Sequence, residues 1–163
     1  MSSASCYTFG QYVLKASQVF IRSRLSIAFV NRKPVVPGHV LVSPIRVVHR
    51  FRDMTIEEVS DLFLVSQLVS MEIQTHHLCP SFTLSMQDGK EAGQTVHHVH
   101  VHILPRKAGD FQNNDDIYTE IEKHNDSLHL DNPGDQWRSD EEMAEEASIL
   151  RKLFDKKYTQ NIE

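Results

Sequence analysis

Three histidines separated by single valines lie in the second half of the chain, at His98, His100 and His102. An alternation with period two indicates a β-strand whose two faces differ, because successive side chains of a strand point to opposite sides. The three imidazoles should therefore share one face, roughly 6–7 Å apart along the strand, with the intervening aliphatic side chains on the other face. Because imidazole can act as a nucleophile, an acid or a base near neutral pH, this face predicts a reactive site.

Three interpretations of the histidine face compete: a solvated row of hydrogen-bonded imidazoles, a metal site and phosphoryl chemistry. Two histidines of a strand can bind one zinc ion, but the third is hard to bring to the same ion, so another ligand such as Asp88 would be needed. Basic residues, Arg106 and Lys107, follow the strand directly. The pattern favours phosphoryl chemistry with the central His100 as the nucleophile.

The run from His98 to Leu104 resembles the signature of the histidine triad superfamily. Residues 30–42 and the segment from Ser85 to Phe111 resemble its Fhit branch, and the similarity runs from about residue 9 to about residue 154 with a gap near 126–136. This resemblance implies a hydrolase of diadenosine polyphosphates, with diadenosine triphosphate split into AMP and ADP as the expected reaction. It also implies a homodimer in which two subunits join their sheets into one.

Catalytic roles follow from the same resemblance. His100 would carry a nucleotidyl group as a covalent intermediate. His98 and His102 are placed to bind phosphate oxygens, and one of them can help to protonate the leaving group. Imidazolium and amide donors can stabilise the charge, so we expect no metal site in the protein, and a magnesium or manganese ion would arrive bound to the polyphosphate of the substrate.

The resemblance also assigns contacts to the nucleotide. The expected nucleotide-binding residues are Asn31, Gln87, Gly93, Gln94, Thr95, Val96 and His102. His39 is either a partner at the phosphate side or a buried histidine with a structural hydrogen bond. Tyr12 occupies a position where the family has a histidine that contacts the nucleotide, and its hydroxyl can still donate a hydrogen bond. Phe9, Leu14 and Phe29 can enclose the base, or they can be ordinary core residues.

The pattern of apolar residues predicts an α+β fold. Strands are expected at residues 19–21, 25–30, 39–43, 82–87 and 98–104. The short segment between the last two strands leaves no room for a crossover helix, which favours a five-stranded antiparallel sheet. Capping boxes at Thr55–Glu58 and Ser139–Glu142 predict a long helix over about 55–77, packed on the sheet, and a C-terminal helix over about 139–156.

The 163 residues fit one domain, which we interpret as a single histidine triad domain over 1–163. Residues 108–136 are rich in Asn and Asp, which predicts a mobile polar loop with a short helix around 117–124. Because this loop has little apolar surface, the fold should survive removal of residues 112–134. Residues 155–163 form a tail that runs past the family resemblance.

Composition excludes several classes of protein. The net charge of −5 and the pI near 6.0 argue against a general nucleic-acid binder. The apolar runs are too short to cross a bilayer, and the first ten residues lack the layout of a signal peptide. Two cysteines make neither a disulfide framework nor a metal motif, so a reducing cytoplasmic location is expected, with a nuclear or mitochondrial one open.

Two other functions stay open at this point. One is an adenosine phosphoramidase or nucleotidylyl transferase of the same superfamily, which differs from the hydrolase in its leaving group. The segment from Gln87 to Gln94 favours the hydrolase. The other is a signalling module in which a slowly turning over, nucleotide-occupied complex is the active species, and the same site would serve both roles.

Overall fold

The computed structural model describes residues 6–126 and 137–158. These residues contain seven strands, namely β1 (Cys6–Phe9), β2 (Tyr12–Lys15), β3 (Val19–Arg22), β4 (Ser26–Val30), β5 (Val40–Pro44), β6 (Ser81–Ser85) and β7 (Val101–Arg106). The last five form one sheet in the order β3-β4-β5-β7-β6, and every neighbouring pair is antiparallel. The predicted five-stranded antiparallel sheet is confirmed.

The hairpin of β1 and β2 was not predicted. It is a separate two-stranded sheet joined by the two-residue turn Gly10–Gln11. Gly10 has a positive φ of 56°, which a short hairpin turn of this kind favours. Phe9 and Leu14 pack the hairpin onto the large sheet. A glycine between two short alternating segments was the available signal, but each strand has only four residues.

The described residues contain three α-helices, α1 (Ile56–His76), α2 (Asp116–Asp126) and α3 (Asp140–Tyr158). Both predicted capping boxes are present. Thr55 accepts from the Glu58 amide at 3.2 Å while the Glu58 carboxylate accepts from the Thr55 amide at 2.9 Å, and Ser139 and Glu142 exchange the same pair of bonds. No helix in these two ranges is long and apolar enough to cross a membrane.

The main hydrophobic core lies between one face of the sheet and the helices α1 and α3. Val99, Val101 and Ile103 all belong to it, as the alternation of the triad segment predicted. The helices contribute Leu62, Val65, Val69, Ile73, Met143, Ala147, Leu150 and Phe154. Burial of these aliphatic side chains is therefore what turns the histidines toward the opposite face.

Two smaller clusters cover that opposite face. The hairpin packs at one end, with Phe9 and Leu14 against Phe29 and Leu41. At the other end, α2 packs on Leu104. The histidines lie between these two covers.

Helix α2 corrects the expectation that the polar segment has little apolar surface. Ile117 and Ile121 are 0% and 1% exposed and pack with Val36 and Leu104. Removal of residues 112–134 would therefore uncover the sheet. Residues 127–136 of this segment and residues 159–163 of the predicted tail lie outside the described residues, so the domain limits stay a prediction.

Substitution of Ile121 tests whether α2 is part of the folded core. We expect Ile121→Ala to lower the free energy of unfolding by about 2–5 kcal/mol, the usual cost of truncating a buried isoleucine. Urea denaturation at fixed protein concentration measures this change. Thr119→Ala, an exposed site on the same helix, is the matched control, and equal stabilities of the two variants would contradict the assignment.

Candidate active site

The regular strand begins later than predicted. β7 starts at Val101, and His98 lies in an irregular segment before it. His98, His100 and His102 are 0%, 5% and 1% exposed. The ring centroids of His100 and His102 are 4.9 Å apart, closer than the strand spacing predicted, because the two rings lean together edge to face.

His100 is held as a neutral imidazole with a defined tautomer. Its Nδ1–H donates to the backbone carbonyl of His98 at 2.7 Å, which leaves the lone pair on Nε2. Burial lowers the pKa of His100 to about 4, the hydrogen bond to His98 opposing this in part. At neutral pH the side chain therefore offers an unprotonated nitrogen suited to nucleophilic attack.

His98 has backbone partners at both ring nitrogens. Nδ1 accepts from the Gly10 amide at 3.1 Å, and Nε2–H donates to the carbonyls of Pro44 and Arg46 at 2.9 and 3.1 Å. Burial also lowers its pKa. The sequence predicted a contact of this ring with phosphate, but the structure uses its nitrogens to fix its own position and that of its carbonyl.

A relay of hydrogen bonds sets the tautomer of His102. The Val35 amide donates to Nδ1 of His39 at 3.1 Å, so the proton of His39 lies on Nε2. That proton is donated to Nδ1 of His102 at 2.9 Å, so His102 carries its own proton on Nε2. His39 is fully buried and orients His102, which becomes a donor beside His100.

The histidine face opens into a cavity of about 830 Å³, its open mouth included, a size typical of ligand pockets. Residues predicted from the sequence line most of it, namely Phe9, Tyr12, Leu14, Phe29, Asn31, Val96, His100 and His102. The cavity therefore joins two reactive imidazoles to an apolar compartment of aromatic and aliphatic side chains.

Asn31 lies at the end of β4, where the strand reaches the cavity. It is 3% exposed, and its Oδ1 accepts from the Lys33 amide at 3.0 Å. Arg138 holds this turn from the other side, since its guanidinium donates to the Asn31 carbonyl at 3.1 Å and its amide to the Arg32 carbonyl at 3.0 Å. Asn31 is thus fixed at the rim of the apolar compartment.

The loop before the triad is organised from within. Gln94 accepts from the Gly89 amide at 2.7 Å and donates to the carbonyls of His49 and Val96 at 3.0 and 3.1 Å. Gly93 has a φ of +82°, and a Cβ there would lie 2.8 Å from the Gln87 amide nitrogen. Of the predicted loop contacts, Val96 lines the cavity, Thr95 is half-buried beside it, and the Gln94 amide is engaged by the loop backbone.

Sequence reasoning missed one wall of the cavity. Gln18, Trp137, Asp140 and Met143 also line it. The Asp140 carboxylate accepts from Lys15 at 2.6 Å and from Gln18 at 2.9 Å, and Lys15 lowers its pKa. The start of α3 was predicted from its capping box, but its position against β2 depends on contacts more than 120 residues apart in the chain.

The metal interpretation needed Asp88 near the triad. Asp88 instead accepts from the Phe51 amide at 2.9 Å and pairs with Arg50 at 3.2 Å, and both partners lower its pKa. Within residues 6–126 and 137–158, no three His, Cys, Asp or Glu side chains are grouped so that they could hold a metal ion. The position of Asp88 therefore removes the additional ligand that this interpretation proposed.

A family model described as the HIT domain matches residues 14–109, more than half of the chain and all three histidines of the triad. The chain belongs to the HIT domain family. The HIT match spans β2 to β7, whereas Phe9 and the wall formed by α3 lie outside it.

Relatives in this HIT family are similar over nearly the whole chain. The bifunctional bis(5'-adenosyl)-triphosphatase/adenylylsulfatase FHIT of Arabidopsis thaliana is 50% identical over 94% of this chain and 87% of its own. The bis(5'-adenosyl)-triphosphatase of Dictyostelium discoideum is 49% identical over 90% of this chain and 92% of its own. The crystal structure of Plasmodium falciparum diadenosine triphosphate hydrolase matches with a TM-score of 0.77 at 32% identity, covering 96% of this chain and 89% of that one. The resemblance to the Fhit branch is confirmed.

The buried neutral histidines predict how stability depends on pH. The pKa of His100 falls from 6.5 to about 4 on folding, so between these values the unfolded chain binds the proton first. The contribution is fully present above about pH 6.5 and is lost as the pH falls toward 4. The lowered pKa of His98 acts in the same direction.

We therefore expect the free energy of unfolding to fall between pH 6.5 and 4, and to fall less steeply in His100→Asn. Urea denaturation at a series of pH values measures both slopes. His97→Asn, which replaces an exposed neighbour, is the control. An unchanged slope in His100→Asn would contradict the assignment of a buried neutral ring.

Proposed function

We propose that this HIT domain protein hydrolyses dinucleoside polyphosphates, with diadenosine triphosphate split into AMP and ADP, through a nucleotidyl group on His100. The observation that carries the proposal is the neutral His100 ring, whose Nδ1 proton is held by the His98 carbonyl in the wall of a nucleotide-sized cavity. The names of the Arabidopsis, Dictyostelium and Plasmodium relatives support the substrate class.

The reaction consists of two displacements at one phosphorus atom. Nε2 of His100 attacks the α-phosphorus, a P–N bond forms, and the P–O bond to ADP breaks. The ring becomes positively charged, and the bond from Nδ1–H to the His98 carbonyl strengthens because its donor is now ionised. Water then attacks the P–N bond, AMP leaves, and the neutral ring is restored. Each displacement inverts phosphorus, so configuration is retained.

The substrate lies along the cavity with its phosphates at the histidines. The Nε2–H of His102 donates to a non-bridging oxygen, and stabilises the charge that grows there during attack. The base occupies the apolar compartment of Phe9, Leu14 and Phe29, with Asn31 near the ribose. A magnesium or manganese ion enters bound to the polyphosphate. A cytoplasmic location, with nuclear or mitochondrial presence open, stays a prediction from the sequence.

The leaving group separates this function from its rivals, because His100 attacks the same phosphorus in each case. A turnover panel should compare diadenosine triphosphate, diadenosine tetraphosphate, an adenosine phosphoramidate and adenylyl sulfate, the last prompted by the name of the Arabidopsis relative. A higher kcat/KM for the phosphoramidate would replace the proposed substrate. Tight binding with turnover too slow for a metabolic enzyme would favour the signalling module.

Substitution of the nucleophile tests the intermediate. His100→Asn should bind diadenosine triphosphate but lose turnover by several orders of magnitude, since the attacking nitrogen is gone. His98→Asn and His102→Asn should lose less, because they remove positioning or charge stabilisation. His97→Asn, next to the triad and exposed, is the control and should turn over normally.

The P–N bond survives base better than acid, so an alkaline quench with labelled substrate should trap label on wild-type protein and none on His100→Asn. Chiral α-phosphorus should show retention. Inversion at phosphorus, or near-normal turnover by His100→Asn, would end this mechanism.

We propose that the protein is a homodimer whose sheets join through β6. This strand forms one edge of the sheet, and an exposed edge strand needs cover. Beside it the outer side of α1 exposes Phe63 (44%) and Leu64 (66%), and β6 exposes Phe82 (41%) and Leu84 (40%). A groove between them is lined by these four residues with Ser60 and Gln67. Such a contiguous apolar face is typical of a subunit interface.

Light scattering at micromolar concentration should give twice the chain mass of 18.7 kDa. Leu64→Glu, which puts a charge in the proposed interface, should give the monomer mass while the fold is kept. Ile149→Glu, on an exposed site of α3 (46%), is the matched control and should stay dimeric. A wild-type monomer, or dissociation by both variants alike, would refute this interface.

A further inference from the structure

The turn between β1 and β2 contacts the triad directly. The Gly10 amide donates to Nδ1 of His98 at 3.1 Å across 88 residues of sequence. Because Nδ1 accepts, the proton of His98 lies on Nε2, where it is donated to the carbonyls that end β5. The ring is therefore clamped between the hairpin turn on one side and the sheet on the other.

The clamp on His98 extends to the nucleophile. The carbonyl of His98 accepts the Nδ1 proton of His100 at 2.7 Å. Since ring and carbonyl belong to the same residue, a rotation of the ring away from Gly10 displaces the acceptor that selects the reactive tautomer of His100. The chain of contacts is thus Gly10 amide, His98 ring, His98 carbonyl and His100 ring.

Phe9 makes the same turn cover both rings. Its ring centroid lies 5.7 Å from that of His98 and 5.1 Å from that of His100, the latter edge to face. Phe9 is itself 7% exposed. Because Phe9 and Gly10 are neighbours, a displaced turn would lift the cover from His100 at the moment it released His98.

Position 10 admits only glycine without distortion. Its φ is +56°, and a Cβ there would lie 2.7 Å from Cγ1 of Val96 and 3.4 Å from the His97 amide nitrogen. Val96 and His97 lead straight into His98, so an added methyl group would push on the same segment that the amide holds.

We propose that Gly10 is a positioning residue for the nucleophile, acting through the ring and carbonyl of His98. The inference rests on the proposed function in that His100 is the attacking group. It assigns the unpredicted hairpin a part in the reaction in addition to its part in the wall of the cavity.

Gly10→Ala is the first test. We expect its kcat on diadenosine triphosphate to fall by about 100-fold, the scale of a small misplacement of a reacting group. Gly109→Ala is the matched control, because Gly109 also has a positive φ of 76° but a Cβ there would meet nothing within 4 Å. Unchanged kcat in Gly10→Ala, or an equal loss in both variants, would overturn the proposal.

A double-substitution cycle tests the route through His98. If Gly10 acts through that ring, Gly10→Ala should cost little further kcat in a His98→Asn background, because the partner of the amide is already gone. Independent effects that multiply in the double variant would overturn the route, since a general loss of hairpin packing would not depend on His98.

A backbone ester keeps the test decisive if Gly10→Ala fails to fold. Glycolic acid incorporated at position 10 replaces the amide N–H by oxygen and adds no Cβ. We expect the same loss of kcat, and wild-type kcat in the ester protein would overturn the proposal.

Nitrogen-15 NMR of the histidine rings separates this inference from the proposed function, since it needs no turnover. In the wild type, Nδ1 of His98 and Nε2 of His100 should show the shifts of unprotonated nitrogens. The ester should change both rings but leave His39 as it is. Ring shifts identical to wild type would overturn the positioning role even if diadenosine triphosphate is hydrolysed. The expected shifts without hydrolysis by wild type would leave the positioning intact and end the proposed function.

Discussion

The hydrogen bond from Nδ1 of His100 to the carbonyl of His98 is the interaction on which the site depends. It joins residues two apart in the sequence, which a regular paired strand does not allow, because its carbonyls are directed sideways to the neighbouring strand. The chain resolves this conflict by delaying regular pairing to Val101. Val99 meanwhile donates to the Val48 carbonyl and accepts from the Ser43 hydroxyl, which anchors the irregular segment.

Backbone groups, not carboxylates, orient the imidazoles. Peptide amides donate to His98 and His39, and peptide carbonyls accept from His98 and His100. A neighbouring carboxylate would stabilise the imidazolium and raise the pKa of the ring. A neutral carbonyl fixes the tautomer with a much smaller effect of this kind, so burial decides the protonation state. This explains how His100 is both strongly oriented and neutral.

The sequence predicted what depends on local pattern. The valines between the histidines predicted the core face, and Thr55 and Ser139 predicted where two helices begin, because alternation and capping involve residues a few positions apart. The contact of Gly10 with His98 and the placement of Asp140 against Gln18 join distant segments, which residue types alone do not reveal. His98 was expected to bind phosphate because nothing in the pattern shows that the strand begins only after it.

The HIT match ends before α3 and starts after Phe9, yet both ends of the chain wall the cavity. The attacking nitrogen and the apolar compartment that receives a base are therefore encoded in separable stretches of sequence. Substitutions at Gln18, Trp137 or Asp140 can reshape that compartment while the histidines keep their backbone partners. A designer who wanted a new leaving group or a new base could treat the termini as an exchangeable cassette around an invariant reaction centre.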